Sequence, residues 1–118
     1  MSRWGPYVEQ RIDDLKYGRG REHWDGDWPS PVTVLAAWDW ACQAFPEDAP
    51  TPSVVPDEDG SIMFVWHKGG WDIEVTVDRE SYADLWMHNR KGDGSHSSMP
   101  LEEGREQLWT LLSELGRL

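Results

Sequence analysis

The side chains able to do chemistry in this chain are few and scattered. Four histidines occur, His23, His67, His88 and His96, and no two share the His-x-x-x-His spacing that sets metal ligands on one helical face. His88, Asp93 and His96 could meet around a polar loop at residues 89–98, although solvated or structural roles suit them better. Asp57-Glu58-Asp59-Gly60 has the acids of a calcium loop without its alternate-residue ligands or its distant Glu, and reads as a turn. Cys42, the one cysteine, falls on the apolar stripe of a helix with no Lys, Arg or His beside it in sequence. A buried, inert thiol is expected there rather than a nucleophile. Ser95-His96-Ser97-Ser98 forms no nucleophile elbow, and no Gly-rich phosphate cradle follows a strand. These readings favour a non-enzymatic protein with no catalytic residue, no metal site and no cofactor.

Tryptophan is the residue type in excess. Nine occur in 118 residues, more than a core of this size hides fully, and each wants a partner for its indole N–H. Trp38 belongs to a helical stripe, and Trp66 and Trp71 flank a hairpin loop across which they could pair. Trp24, Trp28, Trp40 and Trp86 have no evident berth. Trp40 lies roughly 200° around its helix from Trp38. It is either covered by a neighbouring segment, such as residues 24–28, or exposed as an anchor for a partner. Aromatic side chains of this kind among carboxylates suit a protein-binding hot spot steered by charge. The candidate partner-binding residues are therefore Trp28, Trp40 and Trp86, with Asp72, Glu74 and Asp78 as a steering edge.

The elements that must position them follow from periodicity. Residues 1–30 are expected as an N-terminal helix, running from Pro6 to about Lys16, and a Gly/Trp-rich connector. Residues 31–118 are expected as a single α+β domain. Ser30-Pro31 starts its helix with a capping oxygen and a first-turn proline; Leu35, Trp38, Cys42 and Phe45 form the stripe, and Pro46 ends it. Residues 47–59 hold five carboxylates and Pro50, Pro52 and Pro56, which favour an extended path. Alternation then predicts strands at residues 62–66 and 71–77, with a weaker third strand at 82–88. Pro100 opens a last helix with Leu101, Leu108, Leu111, Leu112 and Leu115 on its apolar face; Gly104 should weaken it by roughly 1 kcal/mol. The predicted fold is α+β: a three-stranded antiparallel meander with helices packed on one face.

Charge narrows the partners. The formal net charge is −11, and residues 31–118 carry sixteen Asp/Glu against six Lys/Arg. Such a field repels phosphate backbones and attracts basic proteins, so direct nucleic-acid binding is not expected. No apolar run approaches a membrane span and the opening residues resemble no signal peptide, so a cytoplasmic location is expected.

The stretch Pro52-x-Val54-x-Pro56-x-x-Asp59-Gly60-x-Ile62-x-Phe64-x-Trp66, behind a Trp-rich helix, resembles a loose group of small uncharacterised bacterial proteins. Some of these look like one half of toxin–antitoxin or phage-defence-like gene pairs. The resemblance runs from Pro31 to Val77, is chiefly structural and transfers no catalytic residue. It implies an interaction protein of the antitoxin, immunity or phage-defence-related type that binds and inhibits or regulates a protein partner. Two alternatives stand beside it. One is an acidic mimic of nucleic acid, with Asp72, Glu74 and Asp78 on one strand face, the first two about 7 Å apart. The other is a small-molecule-binding domain or small enzyme whose tryptophans line a pocket. A homo-oligomer is compatible with all three.

Overall fold

A computed structural model describes residues 2–92 and 94–118. In chain order it holds α1 (Gly5–Lys16), a single 3-10 turn (Arg21–His23), α2 (Pro31–Ala44), β1 (Ser53–Pro56), β2 (Ile62–Lys68), β3 (Trp71–Val77), β4 (Ala83–Asn89), β5 (His96–Pro100) and α3 (Leu101–Gly116). The strands form one antiparallel sheet in the order β1-β2-β3-β4-β5. The α+β class and the packing of helices on the sheet are as expected, but there are five strands, not three.

The two additional strands lie at the edges, where pairing with a neighbour outweighs weak local preference. β1 lies in the proline-containing lead-in and pairs with β2 from Ser53 opposite Val65 to Pro56 opposite Ile62. Prolines are tolerated there because an edge strand bonds on one side only. β5 lies in the segment expected as a polar loop. Its Ser-rich sequence has no apolar period, and it becomes a strand by pairing with β4 from His96 opposite His88 to Pro100 opposite Asp84.

Alternation sends one set of strand residues into the core. Val54, Ile62, Phe64, Trp66, Ile73, Val75, Val77, Ala83, Leu85 and Met87 are all buried under the helices. The N-terminal segment shares that core: Trp4, Val8, Ile12 and Leu15 belong to the same apolar cluster. The Trp4 indole donates to the Pro46 carbonyl at 2.8 Å, and the Trp66 indole donates to Pro50 at 2.8 Å. Edge-to-face contacts tie Phe45 to Trp4, Phe64 and Trp66. Trp66 does not pair with Trp71, because the hairpin register sets Trp66 opposite Ile73 and Trp71 opposite Lys68. The turn between these strands is Gly69-Gly70, both at positive φ, the backbone geometry that a tight two-residue hairpin requires.

α2 starts as its sequence implies, with the Ser30 hydroxyl accepting from the Thr33 N–H and Pro31 in the first turn. Its buried face is different from the expected stripe. Thr33, Val34, Ala37, Ala41 and Ala44 point inward, whereas Leu35 and Cys42 are exposed. The helix is flanked by α1 and α3 above the strands, and small side chains let its backbone come close on several sides. Cys42 is thus a surface thiol rather than a buried one. Desolvation, then the nearby Asp39 and Glu9, raise its pKa, so it favours the less nucleophilic protonated form.

In α3, Gly104 has a packing reason. A Cβ there would sit 2.6 Å from Leu85 Cδ2 and 2.9 Å from Met99 Sδ, so the glycine lets the helix lie against β4 and β5.

Candidate binding face on the open side of the sheet

The strand residues that do not enter the core form a second surface. Register arranges them in transverse rows. One row is His67, Asp72, His88 and His96; the next is Ser53, Val65, Glu74, Trp86 and Ser98; the third is Val55, Met63, Thr76 and Asp84. Every one of these side chains is exposed or half-exposed, so no described element covers this face.

Asp72 is the centre of its row. Its Oδ1 lies 2.5 Å from His67 Nδ1, and its Oδ2 lies 3.3 Å from His88 Nδ1 and 3.2 Å from Arg90 Nε. The hydrogen bond from His67, helped by that of His88 and the charge of Arg90, holds the Asp72 carboxyl below the ordinary aspartate range against the opposing effect of desolvation. An ionised carboxylate only accepts hydrogen bonds, so both imidazoles direct a donor Nδ1 at Asp72 and turn Nε2 away. Trp86 lies alongside: its ring centroid is 5.8 Å from that of His88 and 6.4 Å from that of His96. Glu74 is the cross-strand partner of Trp86, and Asp84 is one step along the same face. The result is a half-buried indole, steadied by two imidazoles and bordered by carboxylates.

Of the six expected binding residues, this face unites Trp86, Asp72 and Glu74. The other three lie elsewhere. Trp28 packs on the helical side, donates to the Leu15 carbonyl at 2.9 Å and meets Trp24 edge-to-face at 6.0 Å. Trp40 is half-buried against the core and donates its indole N–H to the Ser81 carbonyl, 3.4 Å away in the turn after β3. Asp78 closes that same turn by accepting from the Glu80 and Tyr82 N–H groups at 2.9 and 3.0 Å.

Other candidate chemistry resolves locally. The Asp57 carbonyl accepts from Gly60 N–H, and Asp59 accepts from both the N–H and the hydroxyl of Ser61, which builds a turn. The Ser61 hydrogen bonds lower the Asp59 pKa. His88 and His96 approach with centroids 6.4 Å apart, while Asp93 lies outside the described residues. Among the described residues no three His, Cys, Asp or Glu side chains converge as metal ligands, and no helix is long and apolar enough to cross a membrane.

Two features escaped the sequence reading. Asp84 alternates in phase with Trp86, so the predicted strand already carried the signal for it. Trp109 on α3 is 44% exposed and stands beside Gln43, Arg105 and Thr110 on an open groove of about 520 Å3. At about 100° per residue it falls outside the Leu108–Leu111–Leu112 stripe, which a helical wheel would have shown. Comparison of the chain with known protein families, with curated protein sequences and with solved structures finds no match.

Proposed function

We propose that this protein is a small, acidic, non-enzymatic interaction protein of the antitoxin, immunity or phage-defence-related type, and that it binds and inhibits or regulates a basic protein partner through the open face of its sheet. The observation that carries this reading is Trp86, a large aromatic on a face that no described element covers. Folding gives little reason to place an indole there, whereas a preorganised aromatic ringed by polar groups is what an interface hot spot requires. Glu74 and Asp84 supply negative potential beside it, and the net charge of −11 extends that field. Asp72 takes a different part from the steering role, because its charge is engaged by His67, His88 and Arg90. It fixes His88, one of the two imidazoles against which Trp86 rests.

The experiment is capture with the tagged protein from its source cell, washed at low and high salt, with the bound protein then titrated against the wild type and Trp86→Ala. A stoichiometric partner that survives high salt and loses more than about 1 kcal/mol of affinity on Trp86→Ala supports the reading. Unchanged affinity in a folded Trp86→Ala variant would remove the face from the interface. A complex lost steeply with salt would favour the nucleic-acid mimic instead.

A further inference from the structure

The two edges of the sheet are finished differently, and hydrogen-bond phase shows how. In an antiparallel pair, alternate residues turn their N–H and C=O groups toward the neighbouring strand and away from it. At the β1 edge, Asp57 N–H donates to Ser61 at 2.9 Å. That phase turns Ser53 and Val55 toward β2 and leaves Val54 and Pro56 facing outward, with Pro52 in step. Both prolines lack an N–H, and the outward Val54 carbonyl accepts from Arg11 Nε at 3.3 Å and Nη2 at 3.2 Å. This edge is closed to another strand, and the Pro52-x-Val54-x-Pro56 pattern is the means.

The β5 edge has one such device, a proline at its very end, and among the described residues no side chain caps its outward carbonyls. Asn89 N–H donates to Ser95 at 3.3 Å, so Ser97 and Met99 face β4 while His96 and Ser98 turn their main-chain groups outward. No described residue bonds to those outward groups. The strand carries no Lys, Arg, Asp or Glu, and both His96 and Ser98 are exposed. Pro100 ends it at a position where its missing N–H would also point outward.

Charge selects the occupant. Around the Pro100 end lie Asp84, Glu102 and Glu103; near the His96 end lie Arg90 and Lys91, with Asp72 paired to Arg90. A second copy running antiparallel sets the acidic end of each strand beside the end of the other that carries Arg90 and Lys91, whereas a parallel copy sets acid against acid. We propose that β5 is a self-pairing edge: two copies of this chain join antiparallel about a two-fold axis at Ser97, and their sheets become one. His96 of each copy then exchanges main-chain hydrogen bonds with Ser98 of the other, which uses every outward N–H of the strand. The net charge opposes association, but at physiological salt it is screened beyond about 8 Å, while the edge contacts fall inside that range. The pairing is independent of any protein partner of the open face. It would set two Trp86 faces side by side on one surface.

Sedimentation equilibrium of the full chain over a wide concentration range tests this. The expected mass rises from 13.6 kDa toward twice that value. Ser98→Pro removes an outward donor without touching the β4 pairing and should weaken association at least tenfold. A second test needs no proline. In a Cys42→Ser background, Ser97→Cys should form a disulfide-linked dimer in air, because residues facing each other in a non-hydrogen-bonded pair lie about 4.5 Å apart at Cα, within disulfide reach. Ser98→Cys in the same background should not, since Ser98 faces His96 of the other copy. A chain that stays monomeric throughout, a folded Ser98→Pro variant that dimerises as the wild type does, or cross-linking equal at 97 and 98 would each overturn the proposal. Monomeric behaviour would leave this edge to a strand from another protein.

Discussion

The helical face and the open face are written in the same strands, one residue apart, and they obey different rules. In β3, Ile73, Val75 and Val77 are fully buried, while Asp72, Glu74 and Thr76 between them remain partly exposed. In β4, Leu85 and Met87 are buried, and Asp84, Trp86 and His88 are not. The helical face is held by continuous apolar contact and a chain of edge-to-face aromatic rings. The open face is held by a hydrogen-bonded row through Asp72, which fixes side chains without removing them from water. Stability therefore resides on one side, and the freedom to bind resides on the other. Trp86 is the residue that breaks the division, since it brings a core-sized side chain to the wet face.

Adjacent substitutions should expose this asymmetry most sharply. Phe64→Ala removes a fully buried ring that contacts Phe45 and should cost about 3–5 kcal/mol in urea unfolding. Val65→Ala, the next residue on the opposite face, should cost less than about 1 kcal/mol. Similar losses at both sites would mean that something covers the open face in solution. The second-largest effect belongs to the seam between sheet and helix. Gly104→Ala gains about 1 kcal/mol of helix propensity in isolation. Its Cβ meets Leu85, which is fully buried and has nowhere to retreat, so overpacking of about 1–3 kcal/mol should prevail. A stabilised variant would show that α3 stands farther from the sheet than 2.6 Å of clearance implies.

What could be read in advance follows the same division. Strong alternation in β2 and β3 and the capped starts of the helices were legible because local pattern and tertiary demand agree there. The buried face of α2 was not. A reading that follows large apolar residues selects Leu35 and Cys42, but a helix flanked by two others and a sheet buries Ala37, Ala41 and Ala44 because they are small. β5 was illegible for another reason: Ser95-His96-Ser97-Ser98 has no period, and its strand exists only because β4 offers it a ladder. Half of the binding face was within reach. The Gly69-Gly70 turn implies that His67 faces Asp72. A turn placed at residues 78–81 would instead set Glu74 opposite Leu85, and only the pairing of Asp78 with Tyr82 brings it opposite Trp86. The partners of Trp28 and Trp40 were not, because Leu15 and Ser81 meet them through contacts no local rule supplies.

The smallest expected effect tests the row that steadies the open face. The pKa of Asp72 is depressed in the folded chain, chiefly by the His67 hydrogen bond. A group whose folded pKa lies below its unfolded value adds stability that is present above the unfolded pKa and is lost as pH falls through the folded one. Asp72→Asn should therefore melt below the wild type at neutral pH, and the gap should close as pH drops below about 4, the ordinary aspartate value. Val65→Ala, which alters the same face without a titrating group, should keep a constant gap across that range. If the Asp72→Asn gap is also constant, the carboxylate's charge does not hold the row together. The ordering of His88 beside Trp86 would then rest on strand geometry alone. Because Asp72 is partly exposed, the change should be modest and should shrink further with added salt.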